Sequence, residues 1–341
     1  MRFLVVCRGS DREGLGHLYR ARSFAREAAL RHDVRLVAIA DRRYASLFDG
    51  MEGGCEFVSD DAGVPPAVAA FHPHVVVLDV LDLARPVYDA LRGGGRLVVS
   101  ISPIFAWMSD VDVLVTRGKA PEGLEGPRVH SGLRYAIFND FCEPIPDDVF
   151  ERAVSNPVLP VAVGMGGTDH ANQTLAALRV LVQATRPCSF WVTVGDGYGH
   201  SYDALNAVAR GVTRHEIVIA RTNRTMWRVI GNCAVAVLSS GLSTLEAVYA
   251  GIPVISVKRR DPANQVNADY ERLLLQGGSF DDDSHSQIAD IIDRLHADRG
   301  ALRLARQAFK GVLDGHGAAR AVEVIEREAT SGPARRVGAL S

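Results

Sequence analysis

A turn of small and hydroxyl residues between two apolar runs constrains the fold of this chain most. The run 233–238 precedes the turn, the run 254–257 follows it, and residues 239–253 read SSGLSTLEAVYAGIP. Short apolar runs are typical of buried strands, and Gly251 with Pro253 is a helix stop signal. The pattern therefore predicts a strand, a turn and a helix. Such units, when repeated, build a parallel α/β sheet.

The same alternation recurs along the rest of the chain. Strands are predicted at 1–7, 34–40, 75–79, 97–102, 111–116, 158–163, 190–194, 216–220, 234–238 and 254–257, and helices at 18–30, 66–71, 84–91, 171–184, 268–275, 286–297, 300–313 and 318–328. The acidic, proline-containing segment 139–149 separates two such series and is the best linker candidate. We therefore expect an α/β protein with an N-terminal domain at 1–145, a C-terminal domain at 150–329 and a flexible tail at 330–341.

Composition narrows the classes of function. A chain of 341 residues with 47% hydrophobic content can form two cores, and a formal net charge of −2 gives no indication of a nucleic-acid partner. No apolar run approaches the roughly 18 residues that span a bilayer. The five cysteines form no C-x-x-C pair, so neither a disulfide framework nor a zinc site is predicted. A reducing cytoplasm fits these features, and no metal or cofactor is expected.

A glycine-rich loop at 8–17 follows the first predicted strand and delivers His17 to the start of a helix. The spacing of Gly14 and Gly16 matches neither a dinucleotide-binding fingerprint nor a P-loop. A neutral imidazole there can take a proton from an attacking hydroxyl or water, although many loop histidines have no such role. Asp79 ends another predicted strand at the ligand-binding edge of the sheet, where it would orient a sugar hydroxyl or cap the next helix.

Two loops in the second series suit a diphosphate. The glycines of the loop 164–169 let a backbone approach phosphates closely, and the turn at 239–246 offers a helix N-terminus with Ser240 and Ser243 as candidate caps. Glu246 would accept hydrogen bonds from a ribose, or would merely complement the helix dipole. Asn264 and Gln265 could bind sugar hydroxyls or form local helix contacts.

Taken in order, these motifs resemble the GT-B superfamily of nucleotide-sugar enzymes. The chain is similar to the branch with the muramyl-pentapeptide N-acetylglucosaminyltransferase of cell-wall synthesis, spore-coat polysaccharide glycosyltransferases and the nucleotide-sugar hydrolase of pseudaminic acid synthesis. The resemblance implies two Rossmann-like domains whose parallel sheets face across a cleft, with the nucleotide held mainly by the second. It implies His17 as the catalytic base, Arg20 and Asp79 as candidate acceptor or sugar contacts, and these nucleotide-sugar ligands: Gly14, Gly16, Gly166, Gly167, Thr168, Ser240, Gly241, Ser243, Thr244, Glu246, Asn264 and Gln265.

The resemblance leaves three functions open. A transferase would move sugar from a nucleotide-diphosphate donor, with a UDP-sugar favoured, to a small-molecule or glycan acceptor. A hydrolase would use water, and a non-catalytic protein would only bind the nucleotide sugar. The hydrolase branch has a glycine-loop His followed by an Arg, as in His17 and Arg20, but differs at Leu81 and at Ser102-Pro103. We therefore expect a metal-independent transferase of polysaccharide biosynthesis, cytoplasmic and peripheral at a membrane.

Overall fold

The chain folds into two compact units, each built on its own parallel sheet. The computed structural model describes residues 1–51, 53–102, 104–119, 121–222, 226–258, 274–277 and 285–331. The first unit contains 1–10, 17–138 and the described residues from 315 onward, and the second contains 11–16 and 139–314.

The first unit has a seven-stranded sheet in the order β3-β2-β1-β4-β5-β6-β7, and all its pairings are parallel. Its strands are β1 (Arg2–Arg8), β2 (Asp33–Ile39), β3 (Cys55–Val58), β4 (Val75–Asp79), β5 (Leu97–Ser100), β6 (Val113–Thr116) and β7 (Arg128–Ser131). Its α-helices are Gly16–Ala29, Val64–Phe71, Arg85–Arg92 and Gly317–Thr330, and 3₁₀ turns lie at Arg42–Phe48, Asp61–Gly63, Gly93–Gly95, Met108–Asp110 and Leu133–Tyr135.

The second unit has a six-stranded sheet in the order β10-β9-β8-β11-β12-β13, again with parallel pairings. Its strands are β8 (Leu159–Gly164), β9 (Cys188–Val194), β10 (Glu216–Arg221), β11 (Val235–Ser239), β12 (Val254–Val257) and β13 (Leu275–Gln276). Its helices are Asp147–Ser155, Gln173–Leu181, Tyr202–Arg210, Met226–Ile230, Leu242–Ala250, His285–Ala297 and Arg299–Phe309.

Apolar strands buried on both faces explain why the sequence forms these sheets. Every residue of β4, VVVLD, is buried, as is every residue of β8 and β11. Helices cover both faces of a parallel sheet, so its central strands are continuous apolar runs rather than alternating ones. The polar exception within β4 is its last residue, Asp79, which is buried at the end of the strand. A buried carboxylate must be paired, which directs attention to its partners.

The prediction of an α/β protein with two parallel sheets is confirmed. The strands β4 and β12 have the predicted bounds. The elements that were not predicted include β3, β7, β13 and the helices Asp147–Ser155, Tyr202–Arg210 and Met226–Ile230. Among the described residues, no helix is both long enough and apolar enough to cross a membrane.

The last helix, Gly317–Thr330, groups with the first unit, which differs from the expected domain boundary of 150–329. Two glutamates explain its position. Glu326 lies 2.7 Å from His32 Nε2, and Glu328 lies 2.9 Å from His130 Nε2. From residue 332 onward, the predicted tail at 330–341 lies outside the part of the chain that the structure describes.

Candidate functional site

The strand order of each sheet reverses at one point. Several of the site residues predicted from the sequence follow the two strands that meet at each of these points. In the first unit the reversal lies between β1 and β4, and in the second it lies between β8 and β11. Because the loops after two such strands run to opposite faces of the sheet, a ligand crevice opens at their carboxyl ends. The segment after β1 leads to His17, and β4 ends at Asp79. The loop 164–169 follows β8, and the turn at 239–241 follows β11.

His17 and Asp79 form a hydrogen-bonded pair in the first unit. The helix Gly16–Ala29 starts one residue before His17, and the Nδ1 atom of His17 lies 2.6 Å from Asp79 Oδ1. The side chain of Asp79 has no exposed surface, whereas 12% of the His17 side chain is exposed. The register of β1 against β4 explains in part why His17 and Asp79 meet, because Asp79 lies beside Cys7, the penultimate residue of β1.

Arg20, one helical turn after His17, binds the same carboxylate. Its Nε atom donates to Asp79 Oδ2 at 2.8 Å, and its Nη2 atom donates to Asp79 Oδ1. Arg20 is itself buried. The structure joins Asp79 and Arg20 to each other and to His17, and their expected contact with an acceptor or a sugar remains a prediction.

Asp79 is ionised in this cluster. Burial alone would raise the pKa of Asp79, but the charges of Arg20 and His17 and their hydrogen bonds outweigh it and hold that pKa below its usual value. An ionised carboxylate accepts hydrogen bonds and donates none, which restricts what its two neighbours can do.

In the second unit, Asp169 fixes the loop after β8. Its Oδ1 and Oδ2 atoms accept from the backbone N–H groups of Gln173 and Thr174 at 2.7 and 2.8 Å, at the start of the helix Gln173–Leu181. Gly166 has φ +100°, a conformation that favours glycine. Thr168 is buried within this loop. The carboxylate of Asp169 therefore ties this loop to the first N–H groups of the helix, which have no partner within the helix.

A second glycine loop, 195–199, contacts the first and was not predicted as part of the site. A Cβ atom on Gly195 would lie 2.3 Å from the carbonyl oxygen of Gly167, and the N–H of Gly197 donates to that oxygen at 3.1 Å. His200 Nε2 also lies 2.9 Å from the carbonyl oxygen of Asp169. The signal was present in the sequence, because GDGYG directly follows a predicted strand.

The loop 11–16 groups with the second unit, whereas the sequence placed it in the N-terminal domain. A Cβ atom on Gly167 would lie 3.1 Å from Leu15 Cδ1. Gly14 has φ +88°, and a Cβ atom on Gly14 or Gly16 would meet nothing within 4 Å. Gly14 and Gly16 therefore border open space, while Leu15 between them packs on Gly167 in the loop after β8.

The prediction of serine caps at the turn after β11 is wrong. The helix Leu242–Ala250 has Gly241 as its N-cap, with no side-chain cap bond. The hydroxyl of Ser240 donates to the carbonyl oxygen of Val257 at 3.1 Å, because β12 runs directly beside β11. Thr244 is buried, with its hydroxyl bonded to the Gly241 carbonyl oxygen at 2.7 Å, and Ser243 is half-buried. The N–H groups of the first turn have no partner within the helix, a general property of helix starts.

Glu246 is buried in the second unit and does not project into solvent. Its Oε1 atom accepts from the backbone N–H of Asn139 at 2.9 Å, and its backbone carbonyl oxygen is 3.3 Å from Cys142 Sγ. Glu246 thus binds the segment that the sequence indicated as a linker. Its expected contact with a ribose remains a prediction.

Two predicted ligands, Asn264 and Gln265, lie outside the described residues. Within the part of the chain that the structure describes, no group of three or more His, Cys, Asp or Glu side chains is arranged to hold a metal ion.

Comparison of sequences finds a distant relative. No protein-family model matches the chain. The uncharacterised protein MJ1062 of Methanocaldococcus jannaschii is 20% identical over 310 residues, which cover 84% of this chain. The chain spans 63% of the length of that relative.

Solved structures are similar over nearly the whole chain. Anabaena HepE in complex with UDP and glucose has a TM-score of 0.61 at 12% identity, covering 97% of this chain and 100% of HepE. Acinetobacter baumannii MurG has a TM-score of 0.67 at 11% identity, covering 96% and 100%. Sucrose-phosphate synthase from Thermosynechococcus elongatus has a TM-score of 0.65 at 11% identity, covering 97% and 99%. The chain therefore has a GT-B-like fold.

Proposed function

We propose that this protein is a glycosyltransferase that moves a sugar from a nucleoside-diphosphate donor to an acceptor hydroxyl. One observation carries the proposal: an imidazole at the reversal point of the first sheet is hydrogen-bonded to a buried, ionised carboxylate. Such a pair suits proton abstraction, and a protein that only binds a ligand has no need of it. A fold admits many reactions, so the assignment depends on these residues.

The second unit binds the donor. Its loops 164–169 and 239–241 follow the neighbouring strands β8 and β11, and the second of them leads into the helix that starts at Leu242. A helix start with unpaired N–H groups favours a diphosphate. UDP is the favoured nucleotide, and the complexes of HepE with UDP and with UDP-glucose support that choice. Glu246 accepts the ribose hydroxyls in this proposal.

His17 removes the proton from the attacking group. As the acceptor oxygen forms its bond to the anomeric carbon, its proton passes to His17, and the bond from that carbon to the diphosphate oxygen breaks. The electron pair of the broken bond leaves with the nucleoside diphosphate, whose added charge is stabilised by the loop N–H groups and the helix dipole. These groups supply that stabilisation without a metal ion. Asp79 holds the imidazole and stabilises the imidazolium as it forms.

Incubation of the purified protein with UDP-sugars tests the proposal. UDP-glucose, UDP-galactose and UDP-N-acetylglucosamine are each supplied alone and with a panel of monosaccharide and oligosaccharide acceptors, and UDP release is followed. A transferase releases UDP in proportion to a glycosylated acceptor. Rapid release of free sugar without an acceptor would indicate a hydrolase instead. Binding of UDP with no release under any condition would indicate a non-catalytic protein.

A further inference from the structure

We infer that Arg20 is a positioning residue that fixes the proton of His17 on Nδ1 and leaves Nε2 as the basic atom. This inference rests on the proposed function only for its kinetic consequence. The tautomer of His17 depends only on the cluster of His17, Arg20 and Asp79, and it can be measured without substrate.

The Nδ1 atom of His17 has two neighbours with opposite requirements, one an acceptor and the other a donor. Nδ1 lies 2.6 Å from Asp79 Oδ1 and 2.9 Å from Arg20 Nη2. The carboxylate can only accept and the guanidinium can only donate, so a neutral imidazole cannot satisfy both through one nitrogen. A proton on Nδ1 gives the bond to Asp79, and a lone pair on Nδ1 gives the bond from Arg20.

The bond to Asp79 is the stronger of the two. A lone pair on Nδ1 would face an ionised oxygen at 2.6 Å, an arrangement of two acceptors that is repulsive. Both bonds would be charge-assisted, because Asp79 and Arg20 are each ionised, but the bond from a proton on Nδ1 to Asp79 is the shorter, at 2.6 Å against 2.9 Å. Arg20 meanwhile satisfies its Nε and Nη2 donors on the two oxygens of Asp79. The proton therefore lies on Nδ1, and Nε2 carries the lone pair.

Arg20 makes this assignment possible because it keeps the buried Asp79 ionised. A protonated Asp79 would donate to Nδ1 and so drive the imidazole proton to Nε2, which would abolish the base. Among the described residues, the titratable groups placed against Asp79 include His17 and Arg20 of the helix Gly16–Ala29 and Cys7 of β1. Burial and the charges of Cys55 and Asp79 raise the pKa of the Cys7 thiol, so this thiol stays neutral and does not offset Arg20.

Nitrogen NMR of the full chain labelled with ¹⁵N-histidine tests the assignment, with His17 identified from the spectrum of His17→Ala. At a pH where the imidazole is neutral, the wild type should show the proton on Nδ1. Arg20→Met should lower the ratio of the Nδ1–H to the Nε2–H tautomer by about tenfold or more. The reason is that a protonated Asp79 no longer accepts the charge-assisted bond from Nδ1–H. Arg20→Lys keeps the charge and should retain the wild-type tautomer in part. Arg26→Met, on the exposed face of the same helix, should leave the spectrum unchanged.

A wild-type proton on Nε2 would overturn the inference, and this result does not require any variant to fold. An unchanged tautomer in folded Arg20→Met would also overturn it. Once a substrate is known, Arg20→Met should lower kcat by about tenfold or more with little change in KM, because the basic nitrogen is lost while the binding groups are kept. A rise in KM alone would show that Arg20 binds substrate instead. The NMR result stands whether or not the enzyme proves to be a transferase.

Discussion

The buried carboxylate of Glu246 accepts a hydrogen bond from the backbone N–H of Asn139 at 2.9 Å. Glu246 therefore has a structural partner at the start of the segment 139–149, in addition to the ribose that we propose for it. These two roles make different demands on the side chain, because a backbone N–H needs only an oxygen acceptor. Substitutions can separate them.

Replacement of Glu246 by Ala should lower the free energy of unfolding by about 1–3 kcal/mol, because the Asn139 N–H loses its acceptor. Glu246→Gln keeps an oxygen acceptor and should retain most of that stability. Both variants should weaken UDP binding by about tenfold or more. Alanine offers no acceptor to the ribose hydroxyls, and the neutral amide of glutamine is a poorer acceptor than a carboxylate. Urea unfolding and calorimetry measure the two effects, with Glu323→Ala on an exposed helix face as the control. Wild-type UDP affinity in Glu246→Gln would remove the ribose role.

Gly195→Ala should disrupt both loops of the second unit. The new Cβ atom would lie 2.3 Å from the carbonyl oxygen of Gly167 and 2.5 Å from its Cα atom, so the backbone must shift. We expect the free energy of unfolding to fall by about 1–3 kcal/mol, together with a loss of UDP affinity. Gly199→Ala is the matched control from the same loop, because its Cβ atom would meet nothing within 4 Å. Equal behaviour of the two variants would show that the contact between the loops is not required.

Acid should destabilise the wild type more steeply than it destabilises Asp79→Asn. Despite the opposing effect of burial, the charges of Arg20 and His17 lower the pKa of Asp79, so the unfolded chain binds this proton more tightly than the folded one. The resulting stability is fully present above the unfolded pKa of about 3.9 and is lost as the pH falls through the lower folded value.

Urea unfolding between about pH 6 and pH 3 measures this dependence. The slope of the unfolding free energy against pH should be smaller in Asp79→Asn by up to about 1.4 kcal/mol per pH unit. Identical slopes in the two proteins would mean that Asp79 does not contribute to acid sensitivity.

Apolar runs predicted most of the sheet, because a strand buried on both faces is encoded by its own residues. The strands β4 and β12 illustrate this point, since each has the predicted bounds. By contrast, β7 reads RVHS and lies at the edge of its sheet, so only its pairing with β6 identifies it. The last helix was predicted as a helix, but its place in the first unit depends on contacts nearly 300 and 200 residues distant in sequence, at His32 and His130.

The candidate site was predictable in part for the same reason. His17 and Asp79 were identified individually, because a residue that ends a strand or opens a helix lies at the ligand edge of a parallel sheet. Their contact was not predicted, since it depends on the pairing of β1 with β4, which the sequence does not state. The predicted cap at Ser240 is wrong because the hydroxyl of Ser240 donates to Val257 of β12, a tertiary partner that competes with the local one.

The most direct test of the proposed chemistry compares His17→Ala with the wild type in turnover and in UDP affinity. With the donor and acceptor that give UDP release, kcat should fall by about a hundredfold or more, because the general base is lost. The dissociation constant of UDP, measured by calorimetry, should stay within about twofold, because His17 is not among the proposed UDP ligands. Equal losses of rate and affinity, or an unchanged kcat, would contradict the assignment of His17 as the base.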